Sequence, residues 1–176
     1  GNLIYVNFNS KSENKIGFFK TEIQKAYSPL YFDNSKKLSC LSSAMNLVKI
    51  LTADSQSNKN IYEHLEKFYI LLESDNWIKN YIFWELKLLK ILGYDLELKK
   101  LVNEKIIGDK KIYVPKSISE IKVVPNFLIE DNNNDENLLN LLAGLKLVGN
   151  YLEKTILKPN NLNLPQSRVL FINSLQ

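Results

Sequence analysis

The sequence predicts a mainly α-helical protein, α+β overall, with a β-hairpin near its start and a small β insertion. Apolar residues recur at helical spacing through most of residues 35–157. Residues 3–8 and 16–25 are short runs rich in aromatic and β-branched side chains, and the polar segment between them is typical of a hairpin connection. Residues 99–124 lose the helical period, which favours loop and short strands around Ile112–Val114 and Ile121–Val124.

Capping residues predict where the helices begin and end. We expect a first helix from Asn34 or Ser35 to about Thr52, a second that starts at Asn58 or Asn60, and a third from Asn76 to Gly93. A fourth should run from Leu138 to about Leu157, and a fifth from Pro165 to Leu175. Gly144 and Gly149 lie inside the fourth of these helices, where each costs about 1 kcal/mol relative to alanine. We therefore expect both glycines at close helix contacts.

The third predicted helix should lie at the centre of the fold. On a helical wheel, the apolar residues of 77–92 fill an arc of roughly 220°, far wider than a surface helix needs. Glu85 falls near the middle of that arc, and a buried carboxylate needs hydrogen-bond donors, a cation or its proton. A structural carboxylate is favoured over a catalytic one, because no second carboxylate, serine or histidine stands at a partnering spacing.

Arg168 is the only arginine among 23 basic residues, so its guanidinium predicts a specific task. An arginine fork can satisfy both oxygens of one carboxylate, which a lysine cannot do. We therefore expect Arg168 to hold the last helix onto the core by pairing with Glu85.

The narrow opposite face of the third helix carries four residues within roughly 80° of one another: Lys79, Phe83, Lys87 and Lys90. We call these four residues the lysine stripe. One interpretation is a solvated lysine face with an incidental phenylalanine. The other is a docking surface for an acidic peptide that carries an apolar residue.

Composition excludes several kinds of site. The formal net charge of +4 permits a nucleic acid or an acidic partner, and lysines would contact phosphate charge rather than base edges. One cysteine and one histidine rule out a disulfide framework and a cysteine-rich zinc site. No catalytic or nucleotide-binding motif is present, so we predict neither an active site nor a cofactor. Cys40 is expected in the core and His64 on a helix surface. With no signal peptide or membrane segment recognised, a cytoplasmic location is expected.

Several segments, in chain order, resemble motifs of the RecO family. The run from Phe83 to Leu98 resembles its aromatic-Glu-Leu-x-Leu-Leu helix, which ends in Leu-Gly-Tyr/Phe and continues into a Leu-Asp-Leu-like segment. Tyr113–Ser117 resembles the family's Tyr-Val-Ser-Pro-Lys segment, and Gly144–Leu152 resembles its Gly-Leu-x-Leu-Thr-Gly-x-Phe-Leu helix. Leu164–Arg168 resembles its closing Leu-Pro-x-Ala-Arg motif. At the start of the chain, Gly1–Leu3 and Gly17–Phe19 resemble the last strands of the family's OB barrel. The likeness covers essentially all 176 residues.

The resemblance implies two domains. Residues 1–27 would be the hairpin remnant of an OB fold that lacks most of its barrel, so we expect a truncated copy. Residues 28–176 would form the helical domain, with an irregular or β insertion at 100–124. Leu101 stands where family members commonly have a cysteine, and we therefore expect no metal.

The resemblance also implies the role of a non-enzymatic recombination mediator in DNA repair. Such a protein binds single-stranded DNA and the acidic tail of single-strand-binding protein, and assists RecA loading together with RecR. The lysine stripe would bind the tail, and the hairpin would bind DNA through Tyr5, Lys15, Phe18, Phe19 and Lys20. Two alternatives stay open: an interaction module without useful DNA affinity, and a helical hydrolase that uses Glu85.

Overall fold

The computed structural model describes residues 1–12, 15–54, 56–108, 110–116, 124–130 and 137–176. Its elements are β1 (Leu3–Asn9), β2 (Phe18–Lys25), α1 (Ser35–Leu51), α2 (Lys59–Leu71), α3 (Trp77–Ile91), α4 (Leu98–Leu101), β3 (Val102–Ile107), β4 (Lys110–Pro115), α5 (Leu138–Leu152) and α6 (Gln166–Leu175). Short 3-10 turns lie at Ser28–Tyr31, Asn126–Leu128 and Lys158–Asn160. The mainly helical class with a small β part is as predicted.

Asparagine caps fix the starts of the first two helices. The Asn34 side chain accepts a hydrogen bond from the Lys37 amide at 3.0 Å, and Asn58 accepts one from the Ile61 amide at 3.1 Å. At the other end of α3, Gly93 has φ +87°, the left-handed conformation predicted for it. The predicted long fourth helix ends at Leu152, where a π-helical turn over Glu153–Leu157 continues it.

Both β-hairpins are antiparallel. The β1–β2 hairpin pairs Ile4 with Ile23 and Phe8 with Phe19, close to the predicted strands. The insertion differs from expectation, because the partner of β4 is β3, which precedes it in the chain. Gly108, at φ +61°, allows the tight connection between them. The second strand expected at Ile121–Val124 falls almost entirely outside the described residues.

Helix α3 lies at the centre of the core, as its wide apolar arc predicts. Its buried residues are Tyr81, Ile82, Trp84, Glu85, Leu88 and Leu89. It packs between α2 and α5, while α6 packs chiefly on α1 and also touches α5. Cys40 of α1 is fully buried, which confirms it as a core residue. The core is therefore built from helices on both sides of α3.

Candidate functional site

Three of the five residues expected to contact DNA share one face of the β1–β2 hairpin. Residues paired across an antiparallel ladder lie on the same face, and successive residues alternate between faces. The register on this face pairs Tyr5 with Glu22, Asn7 with Lys20 and Asn9 with Phe18. Tyr5 is 51% exposed and Phe18 is 67% exposed. This face, which we call the aromatic–lysine face, thus carries two accessible rings and a cation.

Phe19, the fourth expected DNA contact, lies on the opposite face. Its ring packs against Phe8, with centroids 5.1 Å apart. This opposite face is apolar and exposed, and its paired residues include Ile4 with Ile23. Lys15, the fifth expected contact, is exposed in the segment before β2. The structure therefore separates Phe19 from Tyr5, Phe18 and Lys20 by the thickness of the hairpin.

The lysine stripe runs along α3, but its four residues have different surroundings. Phe83 is half-buried and its ring meets Phe127 edge-on, with centroids 6.1 Å apart. Lys90 donates to Asp95 at 2.8 Å, and this hydrogen bond together with the Asp95 charge raises the pKa of Lys90. Lys87 is exposed, while Lys79 is half-buried and lines a small groove.

That groove lies where the start of α3 meets α5. Its volume is about 160 Å³, and its lining residues are Asp75, Asn76, Ile78, Lys79 and Leu141. It thus offers a lysine beside apolar groups, together with one carboxylate. It is a concave feature next to the lysine stripe, because Lys79 belongs to both.

Glu85 and Arg168 form the buried ion pair expected between them. The Arg168 Nε donates to Glu85 Oε1 at 2.9 Å, and Nη2 donates to Oε2 at 2.8 Å. Nη2 also donates to the Leu145 carbonyl at 2.8 Å. Burial alone would lower the pKa of the Arg168 guanidinium, but the charge and hydrogen bonds of Glu85 raise it above its ordinary value. The pair joins α3, α5 and α6.

This arrangement makes Glu85 a structural carboxylate. Its exposed fraction is 1%, and both of its oxygens accept from the guanidinium. Burial raises the pKa of the Tyr81 phenol and of the Cys40 thiol well above their ordinary values, and the Glu85 charge adds to both shifts. Both groups therefore stay protonated at neutral pH. Glu85 itself is thus buried and held by Arg168, which leaves its carboxylate inaccessible to a substrate.

Both helix glycines lie at close contacts, as predicted. A Cβ at Gly144 would come within 3.0 Å of the Phe127 ring. A Cβ at Gly149 would collide with the Arg168 guanidinium. Gly149 thus leaves room for the arginine that pairs with Glu85.

The prediction of a surface position for His64 is wrong, because its side chain is only 4% exposed. Its Nε2 lies 2.9 Å from the Trp84 carbonyl, and the Trp84 indole donates to the His64 carbonyl at 2.9 Å. The two rings stack with centroids 4.8 Å apart. His64 stands three residues after Ile61 and four before Phe68, both core positions, so the helical period placed it on the buried face.

The His64 Nδ1 is buried and has no hydrogen-bond partner among the described residues. Burial lowers the pKa of His64, the hydrogen bond to the Trp84 carbonyl opposes that shift, and the Lys87 and Lys67 charges add to it. The imidazole is therefore neutral at pH 7, with its proton on Nε2 facing the carbonyl.

Comparison with known proteins gives one family. The family model of the Recombination protein O C terminal matches residues 33–158. No solved structure matches this chain.

Across the described residues, no helix is long and apolar enough to cross a membrane. Within the same residues, no group of three potential ligands could hold a metal ion.

Matching relatives include bacterial proteins named DNA repair protein RecO. The one from Rickettsia canadensis is 27% identical over 145 residues, which is 76% of this chain and 60% of the relative. The one from Rickettsia akari is 26% identical over 98% of this chain and 76% of its own length. The Orientia tsutsugamushi protein is 26% identical over 99% of this chain and 77% of its own.

The match to the first of these relatives thus spans about three fifths of that protein's length. The family match covers well over half of the present chain and includes α1 to α5. Glu85, one partner of the buried ion pair, therefore lies within the matched residues. Arg168 and the β1–β2 hairpin lie outside residues 33–158 but inside the matches to the longer-covering relatives. The chain therefore belongs to the RecO family.

Proposed function

We propose that this chain acts in DNA repair as a recombination mediator that binds single-stranded DNA without making or breaking bonds. The names of its relatives support the DNA-repair role. The family resemblance extends the proposal to the tail of single-strand-binding protein, to RecR and to RecA loading. Such a role would place the protein in the cytoplasm, with the DNA.

The aromatic–lysine face of the β1–β2 hairpin is the observation that carries this proposal. Its two exposed rings, Tyr5 and Phe18, offer stacking surfaces for unpaired bases, and each stack is worth about 1–3 kcal/mol. Lys20 lies between them on the same face. Its pairing with Glu22 spans 3.8 Å on an exposed surface, so it is weak and a phosphate can replace it.

The test removes the two rings together. Tyr5→Ala with Phe18→Ala should weaken binding of a labelled oligothymidylate about 30-fold or more, because two stacking contacts are lost. Binding by the native chain should weaken steeply as salt rises. The matched control is Ile4→Ala with Ile23→Ala, which removes exposed apolar area from the opposite face. Equal losses in both double variants would contradict a role for the aromatic–lysine face.

The second candidate function is docking of an acidic tail with an apolar terminus, alone or beside DNA binding. The groove of Lys79, Ile78 and Leu141, which Asp75 also lines, supports it together with the exposed Lys87 about two turns further along α3, because such a ligand needs cations and apolar contacts. Phe83 contributes through its packing on Phe127, which fixes this side of α3. Lys90 is committed to Asp95 and adds less.

Reversing two charges tests this docking. Lys79→Glu with Lys87→Glu should weaken binding of a peptide copy of the acidic tail at least tenfold, about 1.4 kcal/mol. Lys36→Glu with Lys49→Glu, two exposed lysines of α1, gives the same change of net charge elsewhere. Unchanged affinity of the Lys79→Glu, Lys87→Glu variant for the peptide would show that the docking site does not lie on α3. Tail binding without any oligothymidylate binding would favour the interaction-only function.

A further inference from the structure

The β1–β2 hairpin meets the helical body of the protein just after its second strand. No strand side chain of the hairpin is buried, whereas Tyr27, two residues after the end of β2, is half-buried. The next residue, Ser28, donates its amide to Asn2 Oδ1 at 3.0 Å and its hydroxyl to the Gly1 carbonyl at 3.1 Å. These hydrogen bonds join the start of β1 to the residues that follow β2.

At this junction the Tyr27 ring stacks on Tyr69 of α2. The ring centroids lie 3.6 Å apart and the ring planes differ by 7°. The Lys25 Nζ lies over the Tyr27 ring, 4.7 Å from its centroid. Because Tyr69 already covers one face of that ring at close contact, the ammonium group must lie over the other face. We call Lys25, Tyr27 and Tyr69 the tyrosine clamp.

The helical end of the tyrosine clamp is held by the core. The Tyr69 carbonyl accepts a hydrogen bond from the Tyr31 hydroxyl at 3.4 Å, and Tyr31 is buried. The Tyr69 hydroxyl donates to the Met45 sulfur of α1 at 3.8 Å. Its ring also meets the buried Phe68 ring edge-on, with centroids 5.7 Å apart. The clamp thus connects the exposed hairpin to side chains packed in α1 and α2.

The stability of the hairpin bears on DNA binding. An isolated two-stranded hairpin is only marginally stable in water, so a surface carried by its strands exists only while the hairpin is folded. A ligand that binds only the folded form has an apparent Kd equal to its intrinsic Kd divided by the folded fraction. A ring stack and a cation–π contact both favour the folded hairpin. The clamp therefore strengthens DNA binding without contacting DNA.

We infer that the tyrosine clamp keeps the β1–β2 hairpin folded in the absence of DNA, and that Tyr27 is a positioning residue for DNA binding. This inference rests on the proposed function, in which the aromatic–lysine face contacts the DNA. Both faces of the Tyr27 ring are covered, so no base can stack on it. Bound DNA and the clamp stabilise the same folded hairpin, and saturating DNA should compensate for loss of the clamp.

Tyr27→Leu in the full chain tests the inference, because it removes the stack and the cation–π contact but keeps an apolar side chain. We expect oligothymidylate binding to weaken about fivefold, since the folded fraction of the hairpin falls. Without DNA, the amides of residues 3–9 and 18–25 should exchange faster than in the native chain. Saturating oligothymidylate should restore most of that protection. Tyr27→Phe keeps the ring, and should retain both the affinity and the protection of the native chain.

Two controls accompany this variant. Tyr94→Leu makes the same change at an exposed tyrosine that follows α3, and should alter neither DNA binding nor exchange of the hairpin. Both tryptophans, Trp77 and Trp84, lie in α3, so unfolding followed by their fluorescence reports the helical body rather than the hairpin. An unchanged fluorescence transition shows that each variant keeps that body folded.

Two results would overturn the inference alone. If Tyr27→Leu weakens DNA binding without faster exchange in the hairpin, Tyr27 contacts the DNA itself. If exchange becomes faster while the affinity stays unchanged, DNA binding does not depend on the folded hairpin. If the native chain binds no oligothymidylate, the proposed function fails and the inference fails with it.

Discussion

Gly149 of α5 lies directly against the guanidinium of Arg168, leaving no space for a Cβ at that position. A glycine inside a helix costs about 1 kcal/mol relative to alanine. Here the missing side chain allows α6 to bring its arginine to Glu85. One glycine, one arginine and one glutamate, from three helices, therefore form a single steric and electrostatic unit.

Gly149→Ala should destabilise the protein despite the better helix propensity of alanine. The added methyl group displaces the guanidinium and disturbs its hydrogen bonds to Glu85, which we expect to cost about 2 kcal/mol or more of unfolding free energy. Urea unfolding measures the difference. Asn150→Ala, at the exposed neighbouring position, is the control and should be neutral or slightly stabilising. A stabilised Gly149→Ala variant would contradict the contact.

Arg168→Ala should cost about 3–5 kcal/mol, because it leaves the Glu85 carboxylate buried and unpaired. Replacing both residues by apolar ones, Glu85→Leu with Arg168→Met, should cost less than Arg168→Ala alone. The full cycle of Glu85→Leu, Arg168→Met and their double variant, measured by urea unfolding, gives the coupling energy. Additive costs would show that the two side chains do not depend on each other.

His64 should make the stability fall as the pH drops below about 6.5. Its pKa in the folded chain is lowered from 6.5, chiefly by burial, so the folded state favours the neutral ring. The stabilisation is therefore complete above pH 6.5 and is lost as the pH falls through and below that value. Because His64 is the only histidine, His64→Gln should abolish this slope in unfolding free energy. An unchanged slope in that variant would assign the effect to other groups.

The β1–β2 hairpin should exchange its amide hydrogens much faster than α3. None of its strand side chains is buried, and an isolated two-stranded hairpin is marginally stable in water. Local opening therefore needs little free energy, whereas opening of α3 requires breaking the core. Exchange read by mass spectrometry should show residues 3–9 and 18–25 labelled well before residues 77–91. Equal protection of the two regions would mean that the hairpin is far more stable than its exposure indicates.

The helices could be predicted because their ends depend on local chemistry. Asn34 and Asn58 cap helices with their own side chains, and Gly93 ends one by its own backbone conformation. The Glu85–Arg168 pair could also be predicted, because a lone arginine and a carboxylate in an apolar arc each need the other.

The failures came from contacts between distant segments. The strand signal in Val102–Ile107 is weak, because three consecutive polar residues follow Val102, and β3 is formed through its pairing with β4. The surface position expected for His64 is wrong because its partner is the backbone of α3, twenty residues later. The division of the hairpin residues between two faces likewise depends on a register that the individual residues do not reveal.

The position of Arg168 in α6 has a consequence for the order of synthesis. A ribosome delivers Glu85 long before it delivers Arg168, because α6 is the last of the described helices to be made. During that interval the carboxylate must remain hydrated or protonated, so α3 cannot settle fully between its neighbours. We therefore expect the central helix of the nascent chain to stay incompletely packed until α6 emerges, and a stop codon before Arg168 to leave Glu85 without its guanidinium partner.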